Sequence, residues 1–483
     1  MAAKEFIVAI ELGSSKVIGI AGQKNLDGSI KVLAMAKEDS SSFIRKGVVN
    51  NIDKTAICLT NIINKLKSQL HTDIRKVFVG VGGQSIRSSK NEIALHLPSD
   101  TKVTQDMIIE LMDENRNKTY ADQEILDVAT QEYKVDSQLQ LDPVGIQCTH
   151  LEGNFLNILQ RMKFYKNLNE CFETARINVA GMYLAPLALA DSVLTEAEKR
   201  SGCALVDIGA DTTTVSVYSK NILRHLAVIP LGSNNITKDI ASLNMEEADA
   251  EKMKLKYGSA YTDNNDIDNS LMLPIDAERQ IESRKFIEIV EGRLEEIIHN
   301  VWYQIPSEYT DKLLGGLVLT GGGSNMKNIE KAFKNHTNID KIRIAKFVTQ
   351  TIVTNNNDIN AKDGTMNTVL GLLSKGDINC AGNDIDPNGN LFDNENNPNN
   401  ITERPILRQT EIPTDGGSVR TMEQKKKEEE EARKKKEEEE RIAEEQRKEE
   451  EAEKERLRKE NSTWNKFKKG VINFTKKLTD EEE

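Results

Sequence analysis

Val206-Asp207-Ile208-Gly209-Ala210-Asp211-Thr212-Thr213 ends an apolar run, Cys203–Ile208, in a small polar turn. The run has the length and composition of a buried strand. A carboxylate stands at its end and a glycine follows, and glycine lets backbone N–H groups come close to an anion such as phosphate. Val215–Tyr218 continues as a strand, Leu223–Pro230 returns, and a helix is predicted over Asn235–Leu243. The same order stands near the start of the chain. Phe6–Ile10 leads into Ile10-Glu11-Leu12-Gly13-Ser14-Ser15-Lys16, then Val17–Ala21 and, after the turn Leu26-Asp27-Gly28-Ser29, Ile30–Ala36. Ile52–Leu70 follows as an amphipathic helix, with Ile52, Ala56, Leu59, Ile62, Ile63 and Leu66 at the 3–4 spacing of one face. Val77–Val81 is a short apolar strand. One unit is therefore expected twice, repeated in pattern rather than in residues.

A third glycine turn, Leu319-Thr320-Gly321-Gly322-Gly323-Ser324, follows the strand Gly316–Thr320 and precedes a helix expected from Asn325 to Phe333. The chain contains neither GxxxxGK[ST] nor GxGxxG. One such turn is more often structural than functional. Three of them, ordered as two similar hairpins and a late glycine triplet, point to a phosphate-binding cleft.

The formal net charge of −12 and the lack of a global basic excess argue against nucleic acid as a partner. Cys58, Cys148, Cys171, Cys203 and Cys380 are scattered and form no CxxC, so neither a disulfide framework nor structural zinc is expected and a reducing cytoplasm fits. No signal peptide is read at the N-terminus and no run of eighteen apolar residues occurs, so membrane contact is expected to be peripheral.

Composition changes after Lys375. Residues 376–422 are rich in Asn, Asp, Gly and Pro and read as a flexible linker. Residues 423–460 are almost wholly Glu, Lys, Arg, Gln and Ala, with Glu and Lys blocks at about four-residue spacing. They read as a solvated helical spacer of roughly 55 Å, with charged disorder as the alternative. Residues 461–483 hold Trp464, Phe467, Val471, Phe474 and Leu478 on one helical stripe, opposite Lys466, Lys468, Lys469, Lys476 and Lys477. An aromatic stripe facing a lysine face suits insertion at an anionic lipid surface; packing back on the globular part is the alternative.

The three turns resemble the phosphate 1, phosphate 2 and adenosine motifs of the actin, sugar-kinase and heat-shock-chaperone ATPase superfamily. The resemblance implies Mg-ATP clamped between two α/β domains. Gly13, Ser14, Ser15 and Lys16 would face the β- and γ-phosphates, and Gly209, Asp211, Thr212 and Thr213 would hold the other side. Glu11 and Asp207 would orient waters around Mg²⁺. Gly321, Gly322 and Gly323 would pass against the adenosine and α-phosphate. Ala250-Glu251-Lys252-Met253-Lys254 resembles the superfamily's AExxK helix, so Glu251 and Lys254 would contact the ribose and adenine; an ordinary solvated helix face is the alternative. Two positions depart from the pattern. Glu11 stands where Asp is usual, and in Leu184-Ala185-Pro186-Leu187-Ala188, Ala185 stands where filament-forming relatives often have Glu near the attacking water. ATP binding with slow or absent hydrolysis is expected, and no catalytic residue is assigned.

Gly47-Val48-Val49-Asn50-Asn51-Ile52, Ile229-Pro230-Leu231-Gly232 with Thr237 and Asp239-Ile240-Ala241, Asp142-Pro143-Val144-Gly145 with Leu151-Glu152, and Glu291-Gly292-Arg293-Leu294-Glu295-Glu296 are similar to stretches of the bacterial cell-division FtsA family. The resemblance covers about residues 5–375. It implies an α/β actin-like two-domain ATPase fold with subdomain 1A at 1–83 and 166–200 and an inserted 1C subdomain at 84–165. It further implies 2A at 201–235, 2B at 236–304, and a return through 2A and 1A at 305–375. It implies ATP-bound filaments, a docking surface on 2B for the FtsZ C-terminal peptide, and recruitment of other divisome proteins through 1C. The C-terminal helix, with Lys468, Lys469 and Lys477 on its basic face, would then hold the protein on the inner membrane face at the septum. The alternatives are a sugar kinase or ATPase of the same fold, or a pilus or shape-determining actin homologue.

Overall fold

The computed structural model describes residues 5–382 except residue 277. The charged spacer, the amphipathic helix and most of the expected linker lie outside the described residues. Among the described residues no helix is long and apolar enough to cross a membrane.

Two sheets carry the chain, and they share one design. In the first, β1 (Ile7–Leu12) pairs antiparallel with β2 (Lys16–Lys24) and β2 with β3 (Ile30–Asp39). After helix α1 (Ile52–Leu70), β4 (Lys76–Val81) returns parallel to β1. The second sheet repeats this. The strand Cys203–Ile208 pairs antiparallel with Thr213–Ser219, which pairs antiparallel with Ile222–Ile229. Gly316–Thr320 returns parallel to Cys203–Ile208. The duplication expected from the two turns is thus present down to strand order.

Burial explains why these runs fold as strands. Successive residues of a strand point to opposite faces. Cys203 and Leu205 enter the core built around the first sheet, while Ala204, Val206 and Ile208 enter a second core. A strand covered on both faces reads as an unbroken apolar run, which is why this segment stands out in the sequence. Helix α1 spans the residues expected for it. The Asn51 side chain accepts from the Lys54 N–H at 2.9 Å and caps its start, and His71, at φ 53°, ends it in the left-handed conformation. Leu59, Ile62 and Leu66 are fully buried against the first sheet, each contributing about 1.5–3 kcal/mol.

Between β4 and helix α2 (Met162–Thr174) lies the insert. Its long strands Arg87–Lys102 and Gln147–Arg161 pair antiparallel, and Gln123–Thr130 adds to the latter. The insert leaves the first half of the chain but joins the second sheet, where Arg87 pairs with Ala227. The Arg224 guanidinium grips both Glu132 oxygens across the same junction, Nη1 to Oε2 at 2.5 Å and Nη2 to Oε1 at 2.8 Å.

Two expectations need correction. The helix expected over Asn325–Phe333 is split into a 3-10 turn, Gly322–Asn325, and helix Ile329–Thr337. Asn328, at φ 60° and ψ 20°, holds left-handed backbone that interrupts any continuous helix. Residues 376–382, expected to begin the linker, are bound to the first half. Cys380 is fully buried, its N–H donates to the Phe6 carbonyl at 2.8 Å, and its carbonyl accepts from Arg75 at 2.9 Å.

Candidate nucleotide cleft

The two hairpins face each other across one cleft of ≈ 540 Å³, and they are built alike. The Gly13 N–H donates to the Lys16 carbonyl at 3.0 Å, and the Gly209 N–H to the Thr212 carbonyl at 2.8 Å. A Cβ on Gly13 would lie 2.9 Å from the first carbonyl oxygen, and one on Gly209 would lie 3.0 Å from the second. Each turn is therefore tight enough to favour glycine.

The first hairpin is braced from behind. Ser40 Oγ donates to the Gly13 carbonyl at 2.7 Å, and Ser14 Oγ accepts from the Gly47 N–H at 2.7 Å. Gly47 (φ 71°) and Gly83 (φ 94°) pass backbone against backbone, leaving no room for a Cβ on either. The second hairpin receives the start of a helix, Ser233–Ala241. Ser233 N–H donates to the Gly209 carbonyl at 3.0 Å and Asn234 N–H to the Ala210 carbonyl at 2.7 Å. The glycine triplet closes against this hairpin: a Cβ on Gly321 would collide with Asp207 Oδ1, and one on Gly323 with the Ile208 side chain.

Two carboxylates stand between the hairpins. Glu11 is half-buried, but its Oε2 is enclosed and has no hydrogen-bond partner. Burial pushes its pKa up to about 8, the neighbouring Asp207 adds to the rise, and Lys16 and a hydrogen bond from Val369 oppose it. Burial raises Asp207 to about 6. Both acids line the cleft, and an oxygen-lined pair of this kind suits a hard divalent ion such as Mg²⁺. The residues present fit that group.

On the second half, helix Glu247–Tyr257 delivers Glu251 and Lys254. Lys254 is 6% exposed. Its ammonium donates to Thr237 Oγ1 at 2.9 Å and the Ser233 carbonyl at 3.2 Å, and pairs with Glu251 at 2.7 Å. Thr237 in turn donates to Glu251 at 2.5 Å. A solvated helix face does not bury its lysine, so that alternative is set aside for Lys254.

The cleft lining includes Glu11, Gly13, Ser14, Ser15, Lys16 and Asp207, with Gly209, Thr212, Glu251, Lys254 and Gly321 through Gly323. Two expected residues are placed elsewhere. Thr213 is fully buried and its hydroxyl donates to the Leu231 carbonyl at 2.9 Å. Strand alternation instead brings Thr214 to the cleft. Asp211 sits on the rim, accepting from Asn234 Nδ2 at 2.9 Å and from the Lys46 N–H of the first half at 3.2 Å. Gly47, Gly83 and Ser233 line the cleft without having been singled out as ligands. Gly47 opens a Gly-Val-Val stretch and Ser233 follows Pro-Leu-Gly, so a repeat of small residues beside each hairpin was the available signal. Ala185 and Pro186 also line it, at the start of helix Ala185–Val193.

Two like α/β halves with facing phosphate-sized hairpins and an acid pair between them define a two-domain clamp of the actin class. The chain belongs to the FtsA family of cell-division proteins. The family model for cell division protein FtsA matches residues 204–369, and that for the SHS2 domain inserted in FtsA matches residues 83–159. The cell division protein FtsA of Porphyromonas gingivalis is 32% identical over 332 residues, covering 67% of this chain and 69% of that protein. That of Neisseria meningitidis serogroup B is 31% identical, covering 68% and 80%. Among solved structures, the PilM-PilN type IV pilus biogenesis complex has a chain with TM-score 0.53 at 15% identity, covering 76% of this chain and 97% of that one. At that identity the likeness concerns the fold alone.

Proposed function

We propose that this chain binds Mg-ATP between its two hairpins, assembles with copies of itself, and ties FtsZ filaments to the inner face of the cytoplasmic membrane. The observation that carries the nucleotide part is the pair of matched glycine turns facing across Glu11 and Asp207. In this reading Gly13, Ser14, Ser15 and Lys16 cradle the terminal phosphates. Gly209 and Thr212 close from the other side, and Asp211 latches the rim. Glu11 and Asp207 take up Mg²⁺, mainly through water. Glu251 and Lys254 reach the ribose and adenine, and the triplet Gly321–Gly323 lies under the α-phosphate. Ala185 offers no carboxylate to position a water, so the cleft favours holding nucleotide over hydrolysing it.

Residues 236–304 are the proposed surface for the FtsZ C-terminal peptide, and the insert is the proposed surface for other divisome proteins. Trp464, Phe467, Val471, Phe474 and Leu478, with their lysine face, are the proposed contact with anionic lipid. The test is co-sedimentation with anionic vesicles, comparing the full chain with one ending at Glu460. The full chain should pellet with lipid and the shortened chain should stay in the supernatant. Equal pelleting of both would overturn the tether.

A further inference from the structure

The long helix Ser283–Gln304 carries Glu291, Glu295 and His299 at four-residue spacing. That spacing sets them along one stripe of the helix. His336 lies in the last turn of the helix Ile329–Thr337, which packs against that stripe. His299 Nε2 is 3.9 Å from Glu295 Oε1, and His336 Nδ1 is 3.8 Å from the same oxygen. The two rings meet edge to face, with centroids 5.2 Å apart. One ligand atom from each of the three residues lies within 4.8 Å of the other two.

These separations are too long for hydrogen bonds, yet both rings bring a nitrogen toward one carboxylate oxygen. A tetrahedral zinc ion with bonds of about 2.0–2.2 Å holds its ligand atoms roughly 3.4 Å apart. Contraction by about half an ångström would bring each ring nitrogen to that distance from Glu295 Oε1, and the third separation, within 4.8 Å, would close by up to about 1.4 Å. One turn back along the stripe, Glu291 Oε1 is buried with no hydrogen-bond partner. The side chains of His299 and Glu295 are 57% and 50% exposed, and that of His336 is 29% exposed, so an ion has a path in from solvent and a fourth position for water.

We infer that Glu295, His299 and His336 form a binding site for a divalent transition-metal cation of the zinc class, which clasps the two helices together. Two imidazoles and one carboxylate select a borderline ion, whereas the all-oxygen acid pair of the cleft selects a hard one. None of the three residues lines the cleft, so the site stands apart from the proposed nucleotide function. A second histidine pair, His96 and His150, has its Nδ1 atoms 3.4 Å apart; Glu152 lies 3.7 Å from His150 Nε2, but among the described residues these groups do not converge as a three-ligand cluster. It serves as the control.

The test is calorimetric titration of zinc chloride into the full-length protein without nucleotide, with magnesium chloride as comparison. One saturable zinc site per chain is expected, with no matching magnesium heat. His299→Ala and His336→Ala should each weaken zinc binding at least about tenfold, Glu295→Gln should weaken it too, and His96→Ala should leave it unchanged. Zinc should raise the Tm of the parent protein and not of the two histidine variants. Because all three side chains are at the surface, metal-free melts of the variants should match the parent. Cobalt substitution should give the visible absorption of a tetrahedral site in the parent alone. No saturable zinc binding, or zinc binding that survives both histidine variants, would overturn the site, as would equal loss in His96→Ala.

Discussion

The guanidinium of Arg224 holds Glu132 in a two-pronged hydrogen-bonded pair that joins the second sheet to an insert rooted in the first half of the chain. Both side chains are largely buried, at 8% and 12% exposure. Arg224 draws the Glu132 pKa down to about 2 from its usual value near 4.5, against an opposing push from burial. A carboxylate with a depressed folded-state pKa stabilises fully above its unfolded value and loses that contribution as pH falls through the folded one. The pair should therefore support the fold above about pH 4.5 and fade toward pH 2. Arg224→Ala should cost about 2–4 kcal/mol at neutral pH, because it strands a buried carboxylate. Urea unfolding across this pH range checks both statements, and Glu132→Gln should remove this part of the pH dependence.

Gly83 makes a second structural test. At φ 94° and in backbone contact with Gly47, it has no space for a side chain. Gly83→Ala should lower stability by roughly 2–4 kcal/mol, combining left-handed strain with displacement of packed backbone. Because Gly47 donates to Ser14 in the first hairpin, the loss should extend to nucleotide affinity. A stability loss with unchanged ATP binding would separate the brace from the cleft.

Lys254 is the cleft's buried cation. Lys254→Met keeps the length of the side chain but removes three donors. It should weaken ATP binding by at least about tenfold, the effect of losing one or two charge-assisted hydrogen bonds. Fluorescent-nucleotide titration reads this directly. The neighbouring Lys252, exposed and paired with Asp249, supplies the control: Lys252→Met should change nothing.

Ala185 tests why hydrolysis is expected to be slow. It stands at the head of a helix and lines the cleft. Ala185→Glu would place a carboxylate where a water could be oriented. Phosphate release should then rise, on the order of the hundredfold that a positioned base can supply. No rise, with ATP binding retained, would mean that something other than the missing carboxylate limits hydrolysis.

Much of the fold was legible because local and long-range demands coincide. Helix α1 spans the residues that the 3–4 spacing places in it, and Cys203–Ile208 shows its double burial as an unbroken apolar run. What was not legible depends on parity or on distant partners. Thr213 and Thr214 are neighbours of the same type, and only the register of Thr213 opposite Ile229 decides which one meets the cleft. Gly47 and Gly83 touch across a long stretch of chain, and nothing in either local sequence names the other. Residues 376–382 look like linker by composition, yet the Phe6 carbonyl and the groove beside Arg75 capture Cys380.

The insert's attachment also has a mechanical meaning. Its chain enters and leaves through the first half, at a stem where Gln160 Nε2 donates to the Gly82 carbonyl at 3.2 Å and the Arg161 N–H donates to Ser85 Oγ at 3.2 Å. Its sheet, however, continues into the second half. Any swivel of one half against the other must either twist that narrow stem or tear the seam at Arg87 and Ala227. The insert thus staples one half to the other, and a change in the gap between them has to be taken up at one of these two places.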